Sequence, residues 1–123
     1  MIRGVHTMFY SSEPEALRAF LRDTLGFPFT DVGDGWLIFD MPEADMGCHP
    51  ADPSGKHGAG SGTHSISFYC DDLEATMSEL TGRGITFDGG VIDAGFGLVT
   101  HFTMLGGVRV QLYQPRYVKH ATG

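Results

Sequence analysis

Two histidines, His6 and His64, stand at equivalent points of two similar stretches of the chain, GVHTMFYSSEPEALRAFLRDTLGFPF and GTHSISFYCDDLEATMSELTGRGITF. A single histidine on a strand is usually a hydrogen-bonded, partly buried side chain. Two histidines at matching points of repeated units can instead meet across a pseudo-twofold axis and ligate one metal ion. The alternative is that both line a ligand cavity that holds no metal.

His101, in the stretch LVTHFTML, offers a second kind of chemistry. Strand alternation puts it on the same face as Thr103 and opposite the apolar Phe102. An imidazole has an unperturbed pKa near neutrality, so His101 is a candidate general acid or base. The alternative is a structural or solvent-facing histidine.

The final strand-like stretch, VRVQLYQP, separates its polar and apolar side chains. Alternation places Arg109, Gln111 and Tyr113 on one face, which we expect to line a cavity, while Val110 and Leu112 face the core. Arg109 can anchor a substrate carboxylate through paired hydrogen bonds, or it can form an ordinary salt bridge. Gln111 can hydrogen-bond a substrate or a bound water.

Tyr10 and Tyr69 also correspond between the repeats, but one residue out of step with the histidines. A β-bulge around residues 65–67 would absorb the extra residue and return Tyr69 to the face of His64. Tyr10, Tyr69 and Tyr113 are then candidate substrate-binding residues. The alternative for all three is ordinary aromatic packing.

The elements that must position these residues are repeated as well. Each His-led strand leads into an amphipathic helix through a capping-box pattern, Ser12-x-x-Glu15 and Asp71-x-x-Glu74. Strand-like runs follow, namely GWLIFDM and MGCHP in the first copy and ITFDGGVID, GLVTHFTML and VRVQLYQP in the second. The sequence LGGV between the last two predicts a tight hairpin. Each half is therefore predicted to be βαβββ.

At 123 residues the chain is expected to form one domain, residues 1–123. We divide it into module one (1–50), a linker rich in Pro, Gly and Ser (51–62), module two (63–117) and a tail (118–123). Eight basic against fifteen acidic residues give a net charge of −7, which argues against nucleic-acid binding. No stretch is apolar enough to span a membrane or serve as a secretory core, so we expect a soluble, cytoplasmic protein with two free cysteines.

The repeat resembles the vicinal oxygen chelate superfamily, which includes glyoxalase I, extradiol dioxygenases, and fosfomycin-resistance and bleomycin-resistance proteins. The resemblance rests on the two His-led strands and their helices, the Leu25-Gly26-Phe27 step and the closing GGVRVQLYQP, and it covers about residues 3–117. It implies an α+β fold in which two βαβββ modules form a half-open barrel-like sheet with helices on its outer face. It also implies a homodimer.

In that family a divalent metal, such as Fe, Zn, Ni or Mn, sits on the concave face. The resemblance implies His6, His64 and Gln111 as ligands, with a fourth position on or near Gly47. The family's catalytic members usually carry a carboxylate where this chain has Gln111, which offers only an amide oxygen. Gly47 has no side chain, although His49 lies two residues further on and can face the same side.

Three functions follow as hypotheses. The first is a metal-dependent enzyme, a lyase or dioxygenase that acts on a small oxygen-bearing substrate. The second is a metal-free protein that binds a small molecule or antibiotic, as bleomycin-resistance proteins do. The absence of a carboxylate at Gln111 and of a side chain at Gly47 favours this hypothesis. The third is a mainly structural or regulatory domain.

Overall fold

A computed structural model describes residues 1, 6–41, 43–44, 47–48, 50–55, 59–62 and 64–116. In chain order, its elements are helix α1 (Pro14–Ala19), a π-helical segment (Phe20–Thr24), strands β1 (Phe29–Asp31), β2 (Leu37–Phe39) and β3 (Ser67–Tyr69), helix α2 (Leu73–Gly82), and strands β4 (Ile92–Asp93), β5 (Gly97–Met104) and β6 (Val108–Pro115). The predicted α+β class is confirmed. In the described part of the chain the sheets are small and do not close into a barrel.

Module two builds a four-stranded sheet in the order β3-β6-β5-β4. Strands β5 and β6 are antiparallel along their whole lengths, whereas β3 runs parallel to β6. The hairpin between β5 and β6 turns at Gly106 and Gly107, whose φ angles are 87° and 76°. Such left-handed backbone favours glycine, so the predicted hairpin at LGGV is confirmed.

The described residues of module one contain helix α1 and strands β1 and β2 of the predicted βαβββ unit. Among the described residues, β1 and β2 pair only with each other, as a separate two-stranded sheet, and residues 6–10 form no strand. A strand exists only where a neighbouring backbone accepts its hydrogen bonds, so apolar alternation is not sufficient to make one. The predicted bulge at residues 65–67 does not interrupt the β3–β6 ladder either, because β3 begins at Ser67.

Helix α1 begins differently from the predicted capping box. Its N-cap is Glu13 rather than Ser12, and no side chain caps it. The neighbouring Ser11 instead accepts a hydrogen bond from the Glu13 amide at 3.0 Å and donates one to the Leu105 carbonyl at 2.8 Å. The serine therefore ties the helix entrance to the β5–β6 hairpin.

Helix α2 is capped one residue later than predicted. Asp72, rather than Asp71, is the N-cap, and its Oδ1 accepts the Ala75 amide at 3.0 Å. The Leu73 amide donates to Gln114 Oε1 at 2.9 Å. Two of the amides left open at the first turn are thereby satisfied, one of them by a side chain of β6.

The core lies between the helices and one face of the four-stranded sheet. The predicted helical stripes are confirmed, since Leu17, Leu21, Leu73 and Leu80 are buried. The buried side chains of the core are Leu17, Leu21, Leu73, Leu80, Ile85, Phe102, Met104, Val110 and Leu112. Each such side chain contributes roughly 1.5–3 kcal/mol through burial, which fixes the sheet against the helices.

Among the helices of the described residues, none has the length and apolarity needed to cross a membrane.

Candidate functional site

The sheet face opposite the core carries most of the residues that were predicted to do chemistry. Side chains alternate along a strand and are aligned between neighbouring strands, so the ladder sorts them into rows. The rows are Thr103 with Arg109, His101 with Gln111 and Ser67, and Val99 with Tyr113 and Tyr69. We call these eight residues the polar face. The predicted division of β5 and β6 into a core side and a cavity side therefore agrees with the observed register.

The middle row joins an amide, a hydroxyl and an imidazole. Gln111 Nε2 donates to Ser67 Oγ at 3.3 Å, and His101 is the direct cross-strand partner of Gln111. Burial lowers the pKa of His101, and the positive charge of Arg109 lowers it further, while Asp88 acts in the opposite direction. A lowered pKa favours the neutral imidazole, in which one nitrogen donates and the other accepts.

The outer row carries charge. Arg109 Nε contacts Asp88 Oδ2 at 3.3 Å, and Thr103 Oγ1 lies 3.5 Å from the same carboxylate oxygen. Asp88 reaches this row because its backbone runs beside β5, where its amide donates to the His101 carbonyl at 2.8 Å. A guanidinium and a carboxylate therefore stand next to the imidazole.

The inner row is aromatic and more deeply placed. Tyr113 is 8% exposed, and its ring centroid lies 6.1 Å from that of Tyr69 and 5.6 Å from that of Phe96. Phe96 itself is 47% exposed. The row and Phe96 together form an aromatic floor at one end of the polar face, and Phe96 is its exposed ring.

A crevice opens next to the first residue of β3, Ser67. Strand β3 pairs only with residues 111–113 of β6, so residues 108–110 have no β3 neighbour. The resulting gap, which we call the His64 crevice, has a volume of about 280 Å³. Its lining residues are Met8, Phe9, Tyr10, His64, Ser65, Ile66, Val108, Arg109 and Val110. The two His-led stretches thus meet here, and Arg109 belongs both to the crevice and to the polar face.

A larger, open concavity of about 540 Å³ lies at the C-terminal ends of the helical segments. Asp88 and Thr103 line it together with Arg83. The Arg83 guanidinium is already engaged, since Nη1 donates to the Thr24 carbonyl at 2.7 Å and Nη2 to Glu79 at 2.6 Å. This concavity therefore offers a ligand fewer available polar groups than the His64 crevice does.

The predicted metal ligands are only partly brought together. His64 lines the crevice beside Arg109, Gln111 lies in the adjacent row, and His6 is exposed outside the crevice. Within the described ranges, no group of three or more His, Cys, Asp or Glu side chains converges on one point. The donors near Gln111 do not suit a divalent ion, because the neighbouring charge is the Arg109 cation and the nearby carboxylate already pairs with it. The set His6, His64 and Gln111 stays a prediction.

One sequence candidate, His49, lies outside the described residues. Sequence reasoning placed Thr103 on the face of His101 through strand alternation, but it missed two other residues of the site, Ser67 and Asp88. Asp88 gave no such signal, because its position depends on residues 86–88 running alongside β5.

Comparison with known proteins identifies one superfamily. The family profile described as Glyoxalase/Bleomycin resistance protein/Dioxygenase superfamily matches residues 3–112. No curated protein matches the chain.

Solved structures with similar folds include proteins of different roles. TnmS3, an antibiotic binding protein from Streptomyces sp. CB03234, is 21% identical with a TM-score of 0.61, over 94% of this chain and 99% of that one. Lactoylglutathione lyase from Agrobacterium tumefaciens is 19% identical with a TM-score of 0.60, over 88% and 90%. A superfamily member from Sphaerobacter thermophilus DSM 20745 is 25% identical with a TM-score of 0.58, over 92% and 98%. The fold is therefore one that both a binding protein and a lyase use.

Proposed function

Because the chain belongs to the Glyoxalase/Bleomycin resistance protein/Dioxygenase superfamily, we propose that it binds a small organic molecule on the polar face without requiring a metal. One observation carries the proposal. The ladder places the Arg109 cation, which also lines the His64 crevice, in the row next to the His101 imidazole and the Gln111 amide. These groups supply charge, a donor–acceptor pair and an amide, which fix the orientation of a small ligand.

The tyrosines complete the proposed site. Tyr10 is 88% exposed at the crevice, so its ring can stack on a ligand, while Tyr69 and Tyr113 form the floor described above. TnmS3, which has the same fold, is an antibiotic binding protein. We extend that kind of role, sequestration of a small organic compound, to this chain as part of the proposal.

Nuclear magnetic resonance (NMR) titration of ¹⁵N-labelled protein in buffer with a chelator tests this function. The probes are catechol, 4-hydroxybenzamide and 4-hydroxybenzoate, which share one ring and differ in their polar groups. The expected result is a saturable shift of the His101 and Gln111 side-chain resonances with at least one probe, weakened by Gln111→Leu. Arg116→Gln is the matched control, because Arg116 pairs with Asp93 at another part of the sheet. Absence of any saturable shift on the polar face with all three probes contradicts the proposal.

A second candidate function is the metal-dependent lyase or dioxygenase that the sequence predicts. The equivalent positions of His6 and His64 in the two repeats favour it. His6, His64 and Gln111 would hold Fe, Zn, Ni or Mn, which would supply Lewis-acid chemistry, and His101 would hold or move a proton at the substrate. Elemental analysis of protein produced in metal-supplemented medium decides between the two. Stoichiometric metal that is lost in both His6→Ala and His64→Ala supports the enzyme.

We also propose that two copies of the chain associate. The hairpin of β1 and β2 pairs with no other strand of the described residues, and it exposes Phe29, Val32 and Trp36 by 43%, 62% and 50%. Exposed apolar patches of this kind often mark protein interfaces. Sedimentation analysis over a range of concentrations should show a dimer, and Val32→Glu should shift it toward monomer. A monomer at every concentration contradicts the proposal.

A further inference from the structure

We propose that the ligand of the polar face is a small organic carboxylate, and that its carboxylate binds Arg109 in place of Asp88. This inference rests on the proposed function and names the class of molecule that the site takes. Three features support it, namely the long contact between Arg109 and Asp88, the donors that this arginine retains, and the walls of the crevice beside it.

The ion pair of Arg109 is looser than the other arginine–carboxylate pairs in the described part of the chain. Arg109 Nε lies 3.3 Å from Asp88 Oδ2, whereas the other three pairs have nitrogen–oxygen distances of 2.6 to 2.7 Å. Exposure does not explain the difference, because the Arg109 and Asp88 side chains are 57% and 46% exposed, similar to those of the other pairs. Asp88 is therefore a weak and replaceable partner.

Arg109 also keeps donors for a ligand. Two of the other pairs use two parallel hydrogen bonds, at 2.7 and 2.8 Å for Arg22 and at 2.6 Å twice for Arg116. Arg109 uses only Nε, and no described residue engages either of its terminal nitrogens. A guanidinium with an unused edge matches the two oxygens of a carboxylate.

The crevice beside Arg109 determines which kind of body the ligand can carry besides its carboxylate. Met8, Ile66 and Val108 give it apolar walls, while His64 and Tyr10 add polar groups at its rim. Its volume of about 280 Å³ lies just below the usual range for ligand sites, roughly 300–1,000 Å³, which suits a molecule of about one ring. A carboxylate on a small apolar or aromatic body fits both features. Inorganic phosphate lacks such a body and should bind more weakly.

The displaced Asp88 has another neighbour. Thr103 Oγ1 lies 3.5 Å from the same carboxylate oxygen that contacts Arg109. The Thr103 hydroxyl and water can therefore solvate the Asp88 carboxylate when a ligand takes its place on the guanidinium. Exchange of one carboxylate for another leaves the charge of Arg109 compensated throughout.

The experiment compares an acid with its isosteric amide. Titrations of 4-hydroxybenzoate and 4-hydroxybenzamide, with inorganic phosphate as a third arm, are followed by NMR at the Arg109 Nε–H and His101 resonances. We expect the acid to bind at least about tenfold more tightly than the amide and than phosphate. Arg109→Gln should reduce the affinity for the acid to the affinity for the amide. Asp88→Asn should increase the affinity for the acid several-fold, because the competing carboxylate is gone.

Two controls separate this effect from general electrostatics. Asp71→Asn removes the same charge from an exposed residue before α2 and should leave acid binding within about twofold. Backbone amide spectra of each variant show whether it is folded. Equal affinities of acid and amide at the polar face overturn the inference and leave the proposed function standing. Tighter binding of phosphate than of the acid, or no effect of Asp88→Asn on acid binding, also overturns it. If neither organic probe shifts these resonances, the inference fails, and the proposed function fails with it only when catechol gives no shift either.

Discussion

His101 and Gln111 face each other across the β5–β6 ladder, and Gln111 in turn donates to Ser67 on β3 at 3.3 Å. Three strands therefore contribute one side chain each to a single row of the sheet. The adjacent row holds the charged pair formed by Arg109 and Asp88, which acts electrostatically on the imidazole. Its electrostatic coupling can be measured directly.

The charges beside His101 should control its pKa in opposite directions. Arg109 disfavours the imidazolium and Asp88 favours it, so Arg109→Gln should raise the pKa of His101 and Asp88→Asn should lower it. NMR titration of the His101 ring proton in a chelating buffer gives both values. Arg116→Gln, which removes a distant guanidinium, should leave the pKa where it is. An unchanged His101 pKa in both variants contradicts the described row.

The hydroxyl of Thr100 should reduce stability. Thr100 is 1% exposed, and its Oγ1 has no hydrogen-bond partner among the described residues. Replacing the hydroxyl by a methyl group of nearly the same shape removes an unsatisfied buried polar group. Thr100→Val should therefore raise the free energy of unfolding by about 1 kcal/mol, as measured by urea denaturation. Thr100→Ser keeps the hydroxyl and leaves a cavity, so it should lower the free energy of unfolding by about 1 kcal/mol. Lower stability for the valine variant would show that the hydroxyl has a partner.

Gly106 and Gly107 should respond differently to alanine. Both have positive φ, but a β-carbon at Gly106 would collide with the Ser11 side chain, whereas one at Gly107 meets nothing within 4 Å. Gly107→Ala should cost about 1 kcal/mol through backbone strain alone. Gly106→Ala should cost at least about 1 kcal/mol more, because Ser11 must move and lose its bond to Leu105. Thermal denaturation of the two variants gives the comparison, and equal losses contradict the close approach of Ser11.

The two cysteines should differ in reactivity toward alkylating reagents. Burial raises the pKa of Cys70, and its Sγ lies 3.7 Å from the Tyr113 carbonyl, whereas Cys48 is exposed. The thiolate is the reactive form, so a raised pKa and restricted access both slow the reaction. With iodoacetamide at pH 8, Cys48→Ser, which retains only Cys70, should react about tenfold or more slowly than Cys70→Ser. Similar rates would show that Cys70 is accessible.

Much of the architecture of module two follows from local sequence. The alternation in GLVTHFTML and VRVQLYQP, with two glycines between them, predicted the β5–β6 hairpin and which side chains face the core. The helical stripes were confirmed for the same reason, since a period of 3.6 residues leaves one apolar face that must be covered. In module one, residues 6–10 form no strand despite their alternation, because pairing requires a neighbour that alternation cannot supply.

By itself, the sequence determined the repeat, the superfamily, the α+β class and the common face of Arg109, Gln111 and Tyr113, because these depend on residue type and local period. Only the tertiary structure decided which side chains those residues contact. It placed Ser67 against Gln111, set Asp88 against Arg109 at 3.3 Å, and opened the His64 crevice ahead of the first residue of β3. These contacts join residues 21 to 44 positions apart in the chain. Their geometry follows from strand register and packing, which no local pattern encodes.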